Sequence, residues 1–295
     1  VLAGTATAII IGLIVGAVYS WFIKSGITIK MPEGVPTNVA SSFAALVPGA
    51  VLIAGSTIVY QVFASFDTTF IEFIYQMIQA PMQGVTDSLF GIILYCTIAT
   101  IFWWFGVHGG SIVTGIMGAL LLSNLTANQA LVDSGQALTV SNGAFIVTDQ
   151  FTAIFINLTG TGTTFGLVLF MAFFAKSKQL KELGKLSFVP SIFNINEPVI
   201  FGTPIVMNPF LFIPFVLTPT LVGVLMYGAI YFGLVPPFSG VTVPWTTPAV
   251  ISGFLLGGWR MALSQVIILA LSFAMYFPFI KKVDKMNLLI EAKEK

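Results

Sequence analysis

The sequence predicts an all-α integral membrane protein, and three observations support this fold class. Of its 295 residues, 57% are hydrophobic and only 8% are charged, whereas a soluble domain carries roughly 25% charged residues. The mean hydropathy is +0.98. Several apolar stretches reach the length of about 20 residues that a helix needs to cross a ~30 Å hydrocarbon core. We therefore expect a polytopic helical bundle in contact with the lipid bilayer.

Net charge and cysteine content exclude several function classes. Twelve Lys and Arg against eleven Asp and Glu leave a net charge of +1, which is too little for a nucleic-acid-binding surface, so no nucleic-acid partner is expected. Cys96 is the single cysteine and lies in an apolar stretch. Because there is no second cysteine in this sequence, an internal disulfide and a thiolate metal cluster are excluded. With only one histidine as well, no metal site is predicted. The sequence contains no P-loop or HExxH motif, and no cofactor is predicted.

The first half of the chain contains candidate spans at about 3–23, 43–65 and 88–106. Between the first two spans, Pro32 and Pro36 prevent a continuous helix. Residues 66–85 begin with a short amphipathic stretch that is typical of an interfacial linker helix. The apolar stretch 111–123 is short, and we expect it to end part-way through the bilayer. The polar segment 124–149 follows and is expected on the outer side, because it has no Lys or Arg.

The second half predicts broken membrane segments. Residues 151–174 are interrupted by the small polar patch 159–164 and lead into a lysine cluster (Lys176, Lys178, Lys181 and Lys185) that marks the cytoplasmic side. From there to the Lys-rich tail the chain crosses an even number of times, yet its apolar runs are 199–217, 220–235 and 261–280. Either one run is not a full span, or the Pro/Gly-rich residues 244–258 also cross. Transporters hold substrates at such irregular segments.

Glu197 lies between apolar stretches, directly before Pro198. A carboxylate at membrane depth costs about 2.5–3.5 kcal/mol on insertion scales, which predicts a substrate- or ion-binding role. The alternative is a helix-entry residue at the interface, followed by a first-turn proline. The neighbouring Asn194 and Asn196 offer amide donors and acceptors that suit a ligand rich in hydroxyls.

His108 is the only histidine and follows an aromatic run. An imidazole exchanges a proton near neutral pH, so a ligand-binding role and a purely structural role are both open. The adjacent Gly109 is predicted to let a ligand approach the backbone. Trp103 and Trp245 lie beside Gly- or Pro-rich elements. They are either members of an interfacial aromatic belt or flat surfaces for a sugar ring.

Three motifs identify a family: MPEGVP at 31–36, WFGVHGG at 104–110 and FNINEPVIFG at 193–202. Together they resemble the IIC membrane component of bacterial phosphoenolpyruvate-dependent sugar phosphotransferase systems. The resemblance is strongest to the lactose/cellobiose/chitobiose group, and within it to cellobiose-type permeases. It covers nearly the whole chain. It implies an elevator-type transporter with re-entrant hairpins in the bacterial plasma membrane.

The resemblance also implies a function. Such a permease binds a β-linked disaccharide from outside, and a cytoplasmic IIB partner with a phosphocysteine phosphorylates the 6-hydroxyl of the sugar. His108 and Glu197 would contact that hydroxyl, with Asn196 beside them and with Trp103 and Trp245 stacking on the sugar. Asn194 and Gly109 complete the predicted substrate contacts. We expect Glu197 to accept the proton and His108 to orient the hydroxyl, although the reverse assignment is open at this point. The phosphoryl group belongs to IIB, and no phosphorylated residue is expected on this chain.

The same resemblance implies a homodimer and a division of the chain. Residues 1–65 would be the remainder of an N-terminal dimer-interface domain, 66–85 an amphipathic linker, 86–283 the transport domain and 284–295 a polar cytoplasmic tail. Because the sequence starts at a valine inside an apolar stretch, we expect it to begin within a larger protein. Two other functions are open: a proton-coupled secondary sugar transporter that uses Glu197 and His108, and a membrane scaffold. Which disaccharide is bound depends on a few contacts with hydroxyl or acetamido groups.

Overall fold

The computed structural model describes residues 2–32, 34–74, 76–77, 84–203 and 205–293. Throughout these ranges the chain is helical or irregular and contains no β-strand, which confirms the predicted all-α class. The chain divides into two compact units, Val1–Met82 and Gln83–Lys295. The division falls within the predicted linker. Glu33 of the first motif and much of the later part of the linker, residues 75 and 78–83, lie outside the described residues.

The first unit consists of α1 (Leu2–Ser25), α2 (Thr37–Ala44), α3 (Leu46–Ala64) and α4 (Phe70–Ile74). Helix α1 packs against α3 and α4. Helix α2 begins directly after Pro36, which lies at its N-cap, so helical structure starts earlier than the predicted residue 43. Together α2 and α3 form a stretch, Thr37–Ala64, that is long and apolar enough to cross a membrane.

The second unit contains the remaining elements. In chain order they are α5 (Leu89–Trp104), α6 (Gly109–Asp133), a π-helical turn (Phe151–Ile156), α7 (Phe165–Leu169), a second π-helical turn (Phe170–Phe174), α8 (Lys178–Ile192), α9 (Glu197–Gly202), α10 (Pro209–Tyr231) and α11 (Ile251–Lys293). Helix α10 packs against both α5 and α11. Within this unit, α6, α10 and α11 are long and apolar enough to span a membrane.

Helix α6 corrects the prediction of an apolar run that ends at residue 123. The helix continues through the start of the supposed polar segment to Asp133. Asn124 and Asn128, which made this region look polar, are fully buried. Their amides donate to the carbonyl oxygens of Val147 and Phe238, each at 2.8 Å. Because the amide nitrogens are hydrogen-bonded, the helix tolerates these side chains at buried positions.

The apolar run 199–217 is not a single helix, which agrees with the first alternative left open by the sequence, that one run is not a full span. The short helix α9 ends at Gly202, and the long helix α10 starts only at Pro209, with the Asn208 side chain accepting a hydrogen bond from the backbone N–H of Phe210. Helix α10 then continues through Pro214 and Pro219, so the predicted break between 217 and 220 is absent. Among the described residues after the lysine cluster, α10 and α11 are the helices long and apolar enough to span a membrane. Two such helices agree with the even number of crossings that the sequence predicts.

Helix α11 is interrupted near its start and continues to Lys293. Gly257 and Gly258 have non-helical backbone angles, and Gly258 has φ +73° and ψ −158°, a conformation that is essentially restricted to glycine. The predicted polar tail is the helical end of α11. Buried Asp284 accepts hydrogen bonds from the backbone N–H groups of Lys176 and Ser177, and Glu291 accepts one from the Ser177 hydroxyl.

Asp87 fixes the segment that follows the loop after α6. Its Oδ1 atom accepts hydrogen bonds from the backbone N–H groups of Ile146 at 2.8 Å and Val147 at 2.6 Å. Burial raises the pKa of this carboxyl to about 6, although the two hydrogen bonds act in the opposite direction. The residue lies just before α5, outside the apolar helix.

Candidate functional site

His108 forms the N-cap of α6. Its Nδ1 atom accepts a hydrogen bond from the backbone N–H of Ser111 at 3.1 Å and lies 2.8 Å from the Ser111 hydroxyl. This contact satisfies one of the N–H groups that a helix start leaves without an intrahelical partner. Gly106, with φ +83°, makes the turn between α5 and α6. The imidazole itself is exposed.

Trp103 and Gly109 have packing roles beside His108. Trp103 is only 4% exposed, and its ring lies 4.4 Å from the His108 ring and 6.1 Å from the Phe201 ring between centroids. A Cβ atom on Gly109 would overlap the carbonyl oxygen of Ala99. Gly109 therefore lets α6 approach α5 closely, and this close approach explains why a glycine is needed here.

The polar patch 159–164 forms a tight loop with unusual backbone angles. Thr159 has φ +62°, Gly160 and Gly162 both have φ +90°, and Thr163 has φ +51°. Left-handed backbone is costly for β-branched threonine, so the surroundings have to hold this loop in place. Tyr276 on α11 donates to the carbonyl oxygen of Gly162 at 2.7 Å, and the nearby Ser272 hydroxyl donates to the carbonyl oxygen of Thr163.

Asn196 connects this loop to α9. It is 4% exposed, and its Nδ2 atom donates to the carbonyl oxygen of Thr161 at 2.8 Å and to the Thr164 hydroxyl at 3.0 Å. A Cβ atom on Gly160 would overlap the Asn196 amide, so the loop and the amide are in direct contact. Asn196 thus lies directly against the loop, as a residue of a binding site would.

Asn194 is a structural bridge. Its Oδ1 atom accepts a hydrogen bond from the backbone N–H of Thr159 at 2.6 Å. Its Nδ2 atom donates to the carbonyl oxygens of Trp245 at 2.6 Å and Thr247 at 3.0 Å. The residue has φ +63°. These bonds place the backbone around Trp245 beside the loop 159–164, and the amide is occupied by backbone groups on both sides.

Glu197 is the first residue of α9, with Pro198 next to it in the first turn. This position agrees with the helix-entry geometry considered from the sequence. The side chain is exposed, and among the described residues no group forms a hydrogen bond or an ion pair with its carboxylate. A ligand can therefore reach the carboxylate without first breaking an internal contact.

Two of the predicted site residues, Asn194 and Asn196, contact this loop directly, and others lie near them in the chain. Gly110, two residues after His108, would bring a Cβ atom to 3.9 Å from the Thr161 Oγ1 atom and 3.6 Å from the His108 ring, so the start of α6 lies beside the loop. Asn196 and Glu197 approach from α9. Trp245 is connected through Asn194, and its side chain is 57% exposed.

Sequence reasoning missed three residues that shape this site. Ser111 holds the histidine ring, and Ser272 and Tyr276 hold the loop. The hydroxyl groups of Ser272 and Tyr276 inside the apolar run 261–280 were the available signal, because a buried hydroxyl requires a partner.

Comparison with known proteins identifies the family. A family model described as phosphotransferase system, EIIC matches residues 2–219. The chain belongs to the phosphotransferase system EIIC family. As an EIIC protein it is an integral membrane component, which agrees with its apolar helices.

Individual EIIC relatives match nearly the whole chain. The cellobiose-specific EIIC component of Geobacillus stearothermophilus is 40% identical over 289 residues, which cover 96% of this chain and 62% of that protein. The oligo-beta-mannoside-specific EIIC component of Bacillus subtilis (strain 168) is 37% identical over 295 residues, with coverages of 99% and 65%. The chain therefore spans less than two thirds of the length of these curated relatives.

A solved EIIC structure has the same fold. The crystal structure of the transporter ChbC, the IIC component from the N,N'-diacetylchitobiose-specific phosphotransferase system, matches with a TM-score of 0.89 at 37% sequence identity. The match covers 99% of this chain and 67% of that chain.

Proposed function

We propose that this chain belongs to a permease that binds a β-linked disaccharide of the cellobiose type and presents its 6-hydroxyl to a cytoplasmic IIB protein. The proposal rests mainly on one observation: His108 and Glu197 are both exposed, and each lies within two residues of a group beside the strained loop 159–164. These groups are Gly110 near Thr161, and Asn196, which donates to the loop. The names of the relatives support the substrate class, since they refer to cellobiose, oligo-beta-mannosides and N,N'-diacetylchitobiose.

The proposed chemistry is phosphoryl transfer to a sugar hydroxyl. The sugar O6 forms a bond to phosphorus while the P–S bond on the IIB cysteine breaks and the cysteine leaves as a thiolate. The hydroxyl proton passes to the Glu197 carboxylate. A positioned base of this kind contributes about 10²–10⁴-fold to such a step, and the rest comes from holding the reacting groups in line.

Sugar recognition is proposed to use exposed groups near the loop. The 57% exposed ring of Trp245 can stack on a pyranose ring, whereas Trp103 is only 4% exposed and offers no free face of comparable size. We therefore assign stacking to Trp245 and support of His108 to Trp103. Asn196 is only 4% exposed and its Nδ2 atom is bonded to the loop, so Asn196 and Asn194 are both proposed to fix the loop that receives the sugar. Gly109 is proposed to keep α6 close to α5.

The domain organisation is part of the proposal. Residues 1–65 would belong to a dimer-interface domain and 66–85 to a linker, while 86–283 would form the transport domain that moves as an elevator through the lipid bilayer. The compact unit Gln83–Lys295 supports this division, because it contains all the predicted site residues. The functional protein would be a homodimer that works with IIB.

The test measures the product inside membrane vesicles. The complete gene product is reconstituted with IIB and its phosphate-donating proteins, and radiolabelled cellobiose is supplied outside. We expect cellobiose 6-phosphate with the wild type and a loss of at least 10²-fold with Glu197→Gln. The matched control is Glu72→Gln, an exposed carboxylate in the first compact unit that is hydrogen-bonded to Gln76.

Two outcomes would contradict the proposal. If uptake requires a proton gradient and yields unmodified sugar, the protein is a proton-coupled transporter. If Glu197→Gln and Glu72→Gln form sugar phosphate equally well, Glu197 does not accept the proton.

A further inference from the structure

We propose that Ser111 is a positioning residue that fixes the tautomer of His108, with Nδ1 unprotonated and the proton on Nε2. The functional consequence of this proposal rests on the proposed phosphotransferase function. The geometric part does not, because it concerns only the first turn of α6.

The argument starts from the backbone. A backbone N–H can only donate a hydrogen bond. The Ser111 N–H lies 3.1 Å from the Nδ1 atom of His108, so Nδ1 has to be the acceptor and carries no proton. The Ser111 hydroxyl, 2.8 Å from the same atom, then also acts as a donor. In a neutral imidazole the proton therefore sits on Nε2.

Helix capping makes this arrangement stable. The Ser111 N–H is one of the first N–H groups of α6, for which the helix provides no carbonyl partner. A proton on Nδ1 would face this N–H and remove the cap, which destabilises the start of the helix. The tautomer is thus coupled to the start of the helix.

Packing fixes the orientation of the ring as well. The buried indole of Trp103 lies against the imidazole at 4.4 Å between ring centroids. Gly110 lies near the Cε1 atom of the His108 imidazole. With Nδ1 held by Ser111, the Nε2–H group remains for a ligand. It donates to an oxygen, such as a sugar hydroxyl oxygen or a phosphoryl oxygen.

The two candidate roles at the site can now be distinguished. A protonated Nε2 has no lone pair with which to take the proton of the sugar hydroxyl, and Nδ1 is occupied by Ser111. His108 therefore acts as the donor that orients the substrate oxygen, and Glu197 is the acceptor of the proton. The reverse assignment, which the sequence left open, is incompatible with this cap.

The direct test is nitrogen NMR. His108 is the only histidine of these 295 residues. In a ¹⁵N-histidine spectrum of the complete gene product in lipid nanodiscs, its imidazole signals are assigned as those that disappear in His108→Asn. We expect a pyrrole-type shift for Nε2 and a pyridine-type shift for Nδ1. A spectrum with a proton on Nδ1 would overturn the inference. Since IIB is absent from this sample, such a result would leave the proposed function intact.

Enzymology tests the positioning role. Ser111→Ala removes the hydroxyl and keeps the backbone N–H, so we expect kcat for sugar phosphate formation to fall by about tenfold, as for one lost hydrogen bond, with KM within about twofold. Ser111→Thr restores the hydroxyl and should restore kcat. Ser134→Ala, which removes an exposed hydroxyl at the opposite end of α6, is the matched control. An unchanged kcat in Ser111→Ala, or a failure of Ser111→Thr to restore it, would contradict the role.

Two substitutions of His108 separate its role as the helix cap from its role as a hydrogen-bond donor to the substrate. Asparagine keeps a capping acceptor and lacks a group at the Nε2 position, whereas glutamine can place an N–H there and loses the cap. We expect His108→Asn to fold normally but to form little sugar phosphate. We expect His108→Gln to unfold at a lower temperature but to retain more activity. The opposite order of activities would overturn the assignment of Nε2–H as the working donor.

Discussion

The imidazole of His108 packs against the indole of Trp103, with ring centroids 4.4 Å apart and ring planes inclined at 51°. The indole is almost completely enclosed, whereas the imidazole is exposed. The buried indole of Trp103 therefore supports the exposed imidazole of His108 on its protein-facing side. Two tryptophans that look equivalent in the sequence consequently have different roles.

Trp103→Ala and Trp245→Ala are expected to separate stability from binding. Loss of the buried Trp103 should lower the free energy of unfolding by about 3–5 kcal/mol. Loss of the exposed Trp245 should change it by about 0.5 kcal/mol or less while weakening cellobiose binding about tenfold. Thermal unfolding in detergent and equilibrium binding measure the two effects. Unchanged sugar affinity in Trp245→Ala would rule out stacking on this ring.

Gly160→Ala is expected to disrupt the site through Asn196. Gly160 and Gly143 have nearly the same backbone conformation, with φ +90° and φ +88°, so alanine causes similar backbone strain at both positions. Only at Gly160 would the new Cβ atom overlap another residue, the Asn196 amide, while Gly143 faces open space. We expect Gly160→Ala to abolish sugar binding and Gly143→Ala to keep it. Equal binding by the two variants would show that the loop and the amide are not coupled.

We expect Asn194 to contribute more to the stability of the fold than to direct contact with the sugar. Asn194→Ala removes hydrogen bonds to Thr159, Trp245 and Thr247 and should lower the free energy of unfolding by about 3 kcal/mol. Asn194→Gly loses the same bonds but accepts φ +63° without strain, so it should be more stable than the alanine variant by about 1 kcal/mol. Thermal unfolding measures both. Asn142→Ala, in an exposed loop, should have a small effect, and a similar loss in all three variants would contradict the bridge.

Asp87 is expected to make stability depend on pH. Its folded pKa of about 6 lies above the ordinary value of about 4, so the folded state binds the proton more tightly than the unfolded state. The resulting contribution to stability is fully present below about pH 4 and is lost as the pH rises through about 6. Asp87→Asn keeps an oxygen acceptor for Ile146 and Val147 and should flatten this dependence. Melting temperatures between pH 4 and 7 test this prediction, with the exposed Asp133→Asn as control. An unchanged slope in Asp87→Asn would contradict it.

Hydropathy predicted most of the helices but not where some of them end. Helix α6 was underestimated because Asn124 and Asn128 look like residues of a polar loop, yet their partners are the carbonyl oxygens of Val147 and Phe238. A pattern within α6 carries no information about groups so far away in the chain. The break predicted between the runs 199–217 and 220–235 is a similar error, since Thr218 and Pro219 lie inside the continuous helix α10.

The sequence selected candidate residues, but it did not indicate which of them are occupied by internal contacts. The motifs selected His108, Asn196 and Glu197, of which Asn196 contacts the loop 159–164 directly. The role of Asn194 depends on backbone groups about 35 and 51–53 positions away in the chain, and the burial of Trp103 depends on Phe201. Long-range packing therefore decides which of these side chains are buried or occupied by backbone groups and which stay accessible.

The carboxylates of Asp284 and Glu291 have a practical consequence for handling the protein. They accept hydrogen bonds from the backbone N–H groups of Lys176 and Lys178 at the start of α8. The polar end of α11 therefore stabilises the start of the lysine-rich helix. Trimming the chain after residue 283 would remove these hydrogen bonds, whereas an affinity tag joined beyond Lys293 would keep them.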